Sequence, residues 1–217
     1  MCATIFSMYK QDMMDAITVL RKRLEPVERA DLLSDALEGQ RPHARKAAVL
    51  MGLLKQQGET CVVFIRRSSG LRSHGGEIAF PGGGVERTDS SLIMTALREA
   101  QEEIGLDPSR VEVLGVLEPV FTVVSNYLVL PVVAFLPDGL GQIELQTSEV
   151  TEVIVVPLWV LADASIYHSE EWTREGQART IHFYDYGPYR IWGATARMLR
   201  AFLELLELGS GKATEGR

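Results

Sequence analysis

Glu99, Glu102 and Glu103 lie in the run Arg98-Glu99-Ala100-Gln101-Glu102-Glu103-Ile104-Gly105-Leu106, just downstream of Phe80-Pro81-Gly82-Gly83-Gly84. Read as a helix, these carboxylates fall at i, i+3 and i+4 and are expected to project from one face. Ile93, Ala96, Leu97, Ala100 and Ile104 share the opposite face and would anchor the helix to a core. Such a group can hold a hard divalent cation against a phosphate. Magnesium prefers carboxylate oxygens, keeps several waters and leaves coordination positions for substrate oxygens. A solvated acidic face is the plainer alternative, and the local energetics disfavour it. Like charges at i, i+4 repel by roughly 0.2–0.5 kcal/mol per pair in an isolated helix, and within the cluster only Arg98 relieves them. Glu102 and Glu103 also fall late in the helix, where its dipole favours cations.

The three glycines follow Pro81 and separate a strand-like run, residues 77–80, from the helix. They are expected to form a loop that permits positive φ and close approach of the backbone to a ligand. The Gly83 region could offer a carbonyl to the metal or serve only conformationally. Thr88-Asp89-Ser90-Ser91 supplies side chains suited to capping the helix start.

The chain has 217 residues, enough for one sizeable domain with a core. Its hydrophobic content of 46% and charged content of 24% are those of an ordinary globular protein. A net charge of −7 argues against nucleic acid or an anionic membrane as main partner. An anionic substrate would then be held by local cations and metal rather than by the overall field. Cys2 and Cys61 form no disulfide framework. With no leader-like or transit-like pattern at the start, a cytoplasmic setting is the expectation. No apolar run reaches membrane-spanning length.

The apolar periodicity predicts helices over residues 12–24 and 27–37, broken near Pro26. Strands are predicted over 47–54 and 61–65, joined by a hairpin loop at 55–59, and over 77–80, 111–117, 127–136, 150–156 and 181–186. Residues 68–76 read as a polar loop. A short helix is expected from Pro157 to about residue 164, and an amphipathic one over 193–208. Strands on both sides of helices indicate an α/β or α+β fold, a mixed sheet sandwiched between helices.

Gly84, followed by Arg98-Glu99-Ala100-Gln101-Glu102-Glu103-Ile104-Gly105-Leu106 at the usual spacing, closely resembles the Nudix box. The resemblance implies an α/β/α sandwich and Mg²⁺- or Mn²⁺-dependent hydrolysis of nucleoside diphosphates linked to another moiety. One position departs: the family's first Glu, between the glycine and the Arg-Glu pair, is Ser90 here. A second stretch, Leu71-Arg72-Ser73-His74-Gly75-Gly76-Glu77-Ile78-Ala79-Phe80-Pro81-Gly82-Gly83, is similar to the extended motif of coenzyme A pyrophosphatases, a Nudix subfamily. Arg66-Arg67-Ser68, the entry into the first strand from Arg41, and Tyr189-Arg190-Ile191-Trp192-Gly193 resemble bacterial members. That likeness implies cleavage of coenzyme A to 4′-phosphopantetheine and adenosine 3′,5′-bisphosphate.

On this reading residues 1–40 form a helical extension, 41–208 the Nudix domain and 209–217 a frayed tail. Glu99 and Glu103, one turn apart, are the principal metal ligands, and Glu102 completes the acidic cluster or binds a second ion. Arg98 orients a Glu through a charge-assisted hydrogen bond. Arg66, Arg67, Arg72 and His74 are candidates for the pyrophosphate or the 3′-phosphate. The general base is left between Glu102 and an acidic residue of Glu149-Val150-Thr151-Glu152, and Glu77 is a further candidate ligand. Self-association through the terminal helices is expected from the family. The rivals are a Nudix hydrolase for ADP-ribose or a nucleoside triphosphate, and a nucleotide-sensing Nudix module without turnover.

Overall fold

Alternation at period two in the apolar runs decides which layer each residue joins. In a computed structural model, β1 (Arg45–Gln56) and β2 (Glu59–Arg67) form a hairpin around Gln57 and Gly58, both at positive φ. Ala47, Met51, Leu53, Val62 and Phe64 enter one buried cluster. Their neighbours Ala48, Leu50, Leu54, Cys61, Val63 and Ile65 enter a second. A strand buried on both faces reads as one continuous apolar run. The structure describes residues 16–30, 33, 35, 39, 41, 43–71, 74–174 and 176–207.

Among the described residues, eight strands make the main sheet. Beside the hairpin lie β3 (Ile78–Ala79), β4 (Gly82–Gly84), β5 (Glu112–Val116), β6 (Val120–Thr122), β7 (Tyr127–Leu136) and β8 (Val150–Pro157). Its spine runs β3-β2-β1-β7-β5, with β4 on β1, β6 on β7 and β8 on β2. β1 and β7 pair in parallel from Arg45↔Tyr127 to Leu54↔Leu136 and the other pairs are antiparallel, so the sheet is mixed.

Helices cover both faces. α1 (Ala16–Arg23) and α4 (Gly193–Glu207) place Leu20, Met198, Leu199 and Phe202 in the first cluster. α2 (Leu92–Ile104) places Leu92, Ala96, Leu97, Ala100 and Ile104 in the second. The expected α/β/α sandwich is therefore present.

Several local expectations are corrected. The glycines form β4, whose partners on β1 run from Ala47↔Gly84 to Val49↔Gly82. Glycine has little strand propensity of its own; the pairing is imposed by β1. The predicted helix over 27–37 begins as a 3-10 turn, Val27–Arg29, and its remainder falls largely outside the described residues. Residues 12–15 and 209–217 lie outside them too. The helix after Pro157 is one turn, α3 (Leu158–Leu161), ended by a 3-10 turn whose N-cap is Asp163.

A second sheet was not anticipated. β9 (Tyr167–Arg174), β10 (Gln177–Tyr186) and β11 (Tyr189–Trp192) form it in the order β11-β10-β9. β9 is charged and largely exposed, so its sequence lacks an apolar alternation; register with β10, from Gln177↔Arg174 to Tyr184↔Tyr167, makes it a strand.

Candidate active site

Ser91 starts α2 by accepting the Met94 N–H at 3.2 Å, and Gly105 ends it at φ 72°. Between these caps the three carboxylates do not share one environment, contrary to expectation. Glu103 is 2% exposed and Glu99 15% exposed, whereas Glu102 is 57% exposed. The helix turns about 100° per residue, so residues four apart nearly align while adjacent ones diverge. Glu99 and Glu103 therefore line the sheet-facing edge, and Glu102 turns outward.

β4 receives that edge. Glu103 Oε2 accepts the Gly82 N–H at 2.9 Å. A Cβ on Gly82 would stand 2.6 Å from Val49 Cα, and one on Gly83 would stand 2.5 Å from Glu99 Oε1. Glycine is thus required twice: for pairing with β1, and for the carboxylate of Glu99 to lie against the strand.

Arg98 ties the helix to the same strand. Its Nε and Nη2 donate to the two oxygens of Asp89 at 2.9 and 3.0 Å, and Nη2 also donates to the Gly84 carbonyl at 3.1 Å. Nη1 donates to Glu102 Oε2 at 2.9 Å, and Nη2 lies 3.1 Å from Glu99 Oε1. The expected orientation of a glutamate is there, but the chief partner is Asp89, read from the sequence only as a capping residue. Asp89 is 3% exposed and also accepts from Thr95 Oγ1 and the Glu86 N–H, each at 2.9 Å. The Arg98 guanidinium, foremost among these donors, holds its carboxyl down at about 2. Ser90, the departure from the family pattern, is exposed. The carboxylate that meets the arginine is one residue earlier.

Among the basic candidates, Arg67 joins the site and Arg66 does not. Consecutive strand residues point to opposite faces. Arg67 Nη1 lies 3.6 Å from Glu103 Oε1. Arg66 donates to Glu152 Oε2 at 3.0 Å and stacks over the Tyr189 ring, while Tyr189 Oη donates to Glu152 Oε1 at 2.6 Å. The Glu152 carboxylate is thereby occupied. His74 Nδ1 is 3.0 Å from Glu77 Oε2, so these two candidates engage each other. Arg72 lies outside the described residues.

Burial shapes the electrostatics. Desolvation pushes the Glu103 carboxyl up to about 8; the Gly82 N–H and Arg67 oppose this, while Glu99 and Glu149 add to it. Desolvation likewise raises Glu99, against Arg98, with Glu102 and Glu149 adding to the rise. The unfolded chain releases the Glu103 proton in the ordinary glutamate range, whereas the folded protein keeps it up to about 8. Stability is therefore greatest below that window and falls as pH rises through it. Glu103→Gln, neutral throughout and similar in shape, is expected to stabilise the protein at pH 8 by on the order of 3 kcal/mol, and far less at pH 5. Thermal unfolding at both pH values in the presence of a chelator measures this.

The residues fit a hard cation, although among the described residues no three His, Cys, Asp or Glu side chains form a closed ligand set. Magnesium is commonly held by one or two carboxylates, with waters and substrate oxygens completing its shell. Glu99 and Glu103 are two desolvated carboxylates beside a strand without side chains, and Glu149 adds negative charge from the base of β8.

A family model for the NUDIX domain matches residues 43–177. The chain is 39% identical over 164 residues to the uncharacterized Nudix hydrolase NudL of Photorhabdus laumondii subsp. laumondii, covering 76% of this chain and 86% of that protein. It is 37% identical over 174 residues to the NudL of Citrobacter koseri, covering 80% and 89%. Among solved structures, the Nudix hydrolase RenU from M. smegmatis is 17% identical with a TM-score of 0.46, over 80% of this chain and 91% of that one. The chain belongs to the Nudix family, hydrolases of nucleoside diphosphate derivatives. No helix among the described residues is long and apolar enough to cross a membrane.

Proposed function

We propose that this Nudix hydrolase cleaves the diphosphate of coenzyme A, and of acyl-CoA derivatives, with Mg²⁺ or Mn²⁺. The observation that carries the hydrolytic reading is the pair of desolvated carboxylates, Glu99 and Glu103, against Gly82 and Gly83 with Arg67 alongside. Coenzyme A as substrate rests on the likeness of residues 71–83 to the pyrophosphatase motif.

Glu99 and Glu103 would hold the cation, which supplies charge neutralisation of the phosphate oxygens and a more acidic bound water. The Gly82 N–H fixes Oε2 of Glu103, leaving Oε1 to face Arg67 Nη1 at 3.6 Å. Arg98 holds Glu99 in place and aligns α2 with β4 through the Gly84 carbonyl. Arg67 offers a guanidinium to the diphosphate, where a planar fork matches two phosphate oxygens. For the water proton, Glu102 and Glu149 are the candidate acceptors. Glu102 is engaged by Arg98. Glu149 faces the field of both ligand carboxylates, and we favour it as the base. Water oxygen bonds to phosphorus, the bridging P–O bond breaks, and phosphopantetheine and adenosine 3′,5′-bisphosphate leave.

Incubation with coenzyme A, ADP-ribose and dNTPs in Mg²⁺ tests the substrate. Release of 4′-phosphopantetheine at the highest kcat/KM of the panel is expected. Turnover of ADP-ribose or dNTPs with coenzyme A left intact would reject the CoA reading and leave the family assignment standing.

A further inference from the structure

Arg67 ends β2 at a shift in its register with β8, between Arg66 and Arg67. Its backbone is fixed from both sides: the N–H donates to the Glu77 carbonyl at 2.9 Å, and the carbonyl accepts the Gly76 N–H at 3.0 Å. The next residue, Ser68, donates its N–H to the Glu149 carbonyl at 2.7 Å. The side chain is held far less well. Its Nη1 is 3.6 Å from Glu103 Oε1, close enough for charge attraction and too long for a good hydrogen bond. Its Nε is buried and without an acceptor among the described residues. A guanidinium has five donors in a rigid fork, and Glu103 satisfies little of it here.

We infer that Arg67 is an exchangeable partner of Glu103, which lies against its Oε1 before a divalent cation binds and passes to the substrate diphosphate when the cation takes its place. The inference rests on the diphosphate-hydrolase reading above and adds how its two ligands are coupled. Glu103, holding a dication together with Glu99, would no longer be free to face Arg67, and the guanidinium would be repelled by the added positive charge. Rotamer changes then suffice to re-aim it, because the backbone stays pinned by Gly76 and Glu77. A diphosphate beside the cation would offer paired oxygen acceptors to the guanidinium, including its unsatisfied Nε. Cation and diphosphate therefore bind with positive coupling, each raising the affinity of the other by the same factor. An arginine that stayed in place would weaken the cation and strengthen the diphosphate independently, leaving that factor unaltered.

The test is Mn²⁺ binding, followed by the EPR signal of free Mn²⁺, with and without α,β-methylene-ADP as an uncleavable diphosphate. Wild type is compared with Arg67→Gln, and with Arg67→Met should the Gln variant fail to fold. Mn²⁺ alone is expected to bind the neutral variant more tightly than wild type. The gain in Mn²⁺ affinity on adding the probe is expected to be at least about fivefold smaller in that variant, the lower end of ordinary coupling between sites. Equal gains in wild type and the neutral variant would overturn the exchange and spare the hydrolase reading. Wild type that binds no Mn²⁺ even with the probe present would overturn both.

Discussion

Glu103→Gln is expected to lower kcat/KM for coenzyme A by about 10³-fold at saturating Mg²⁺, the equivalent of several kcal/mol of metal-derived charge stabilisation. The amide keeps the volume, and its oxygen can still accept the Gly82 N–H that positions Glu103 at 2.9 Å. Only the negative charge disappears. The fold should not suffer, because the wild-type carboxyl lies buried and its ionisation is opposed by burial. Loss of turnover would then accompany a gain in thermal stability at pH 8. That pairing separates a metal ligand from a residue needed for folding. Rates within threefold of wild type would remove Glu103 from the metal site.

Asp89→Ala is expected to cost on the order of 3 kcal/mol of unfolding free energy, because it strands a half-buried guanidinium whose best partner is gone. Asp89 gathers four donors: Arg98 Nε and Nη2, Thr95 Oγ1 and the Glu86 N–H. Without it Arg98 keeps Glu99, Glu102 and Gly84 but loses its two-pronged anchor. The proposed ligand Glu99 then shifts, and kcat/KM should fall by about 10–100-fold, the usual cost of removing an outer partner of a metal ligand. Ser90→Ala, at the adjacent exposed position, should change stability by no more than about 0.5 kcal/mol. Denaturant unfolding of the two variants compares them directly, and a larger effect at Ser90 would reverse the assignment. The Asp89 carboxyl is depressed to about 2, so its contribution is present above the ordinary Asp range and lost as pH falls toward that value.

Much of the fold was legible because burial leaves a period in the chain. The alternation in residues 47–54 and 61–65 separates the two sheet faces, and Leu97, Ala100 and Ile104 place α2 against one of them. β9 was not legible: its residues are mostly polar, and only the ladder with β10 makes it extended. β4 escaped for a related reason. Three glycines carry no side-chain preference, and pairing with Ala47, Ala48 and Val49 comes from residues some thirty-five positions earlier in the sequence.

Within the site, local spacing named the acidic helix but overstated its unity. Glu102 sits beside Glu103 in sequence and outside the buried pair in space, since one helical step rotates a side chain away from the sheet. Arg66 and Arg67 show the same effect at the strand period, one bound to Glu152 and Tyr189, the other facing Glu103. Asp89 could have been suspected from its polar, helix-capping neighbourhood, yet nothing local told its role from that of Ser91.

The sequence by itself carried the Nudix assignment and the residues of the proposed chemistry. Carboxylates one turn apart, glycines ahead of them and an adjacent arginine carry the proposed cation-and-diphosphate centre through residue type and spacing, which are local properties of the chain. The tertiary structure alone decided which carboxylates are desolvated, which arginine meets them, and that Asp89 rather than Ser90 holds Arg98. Desolvation and ion pairing depend on groups brought together from β1, β2, β4 and α2, and no spacing along one segment encodes that distance.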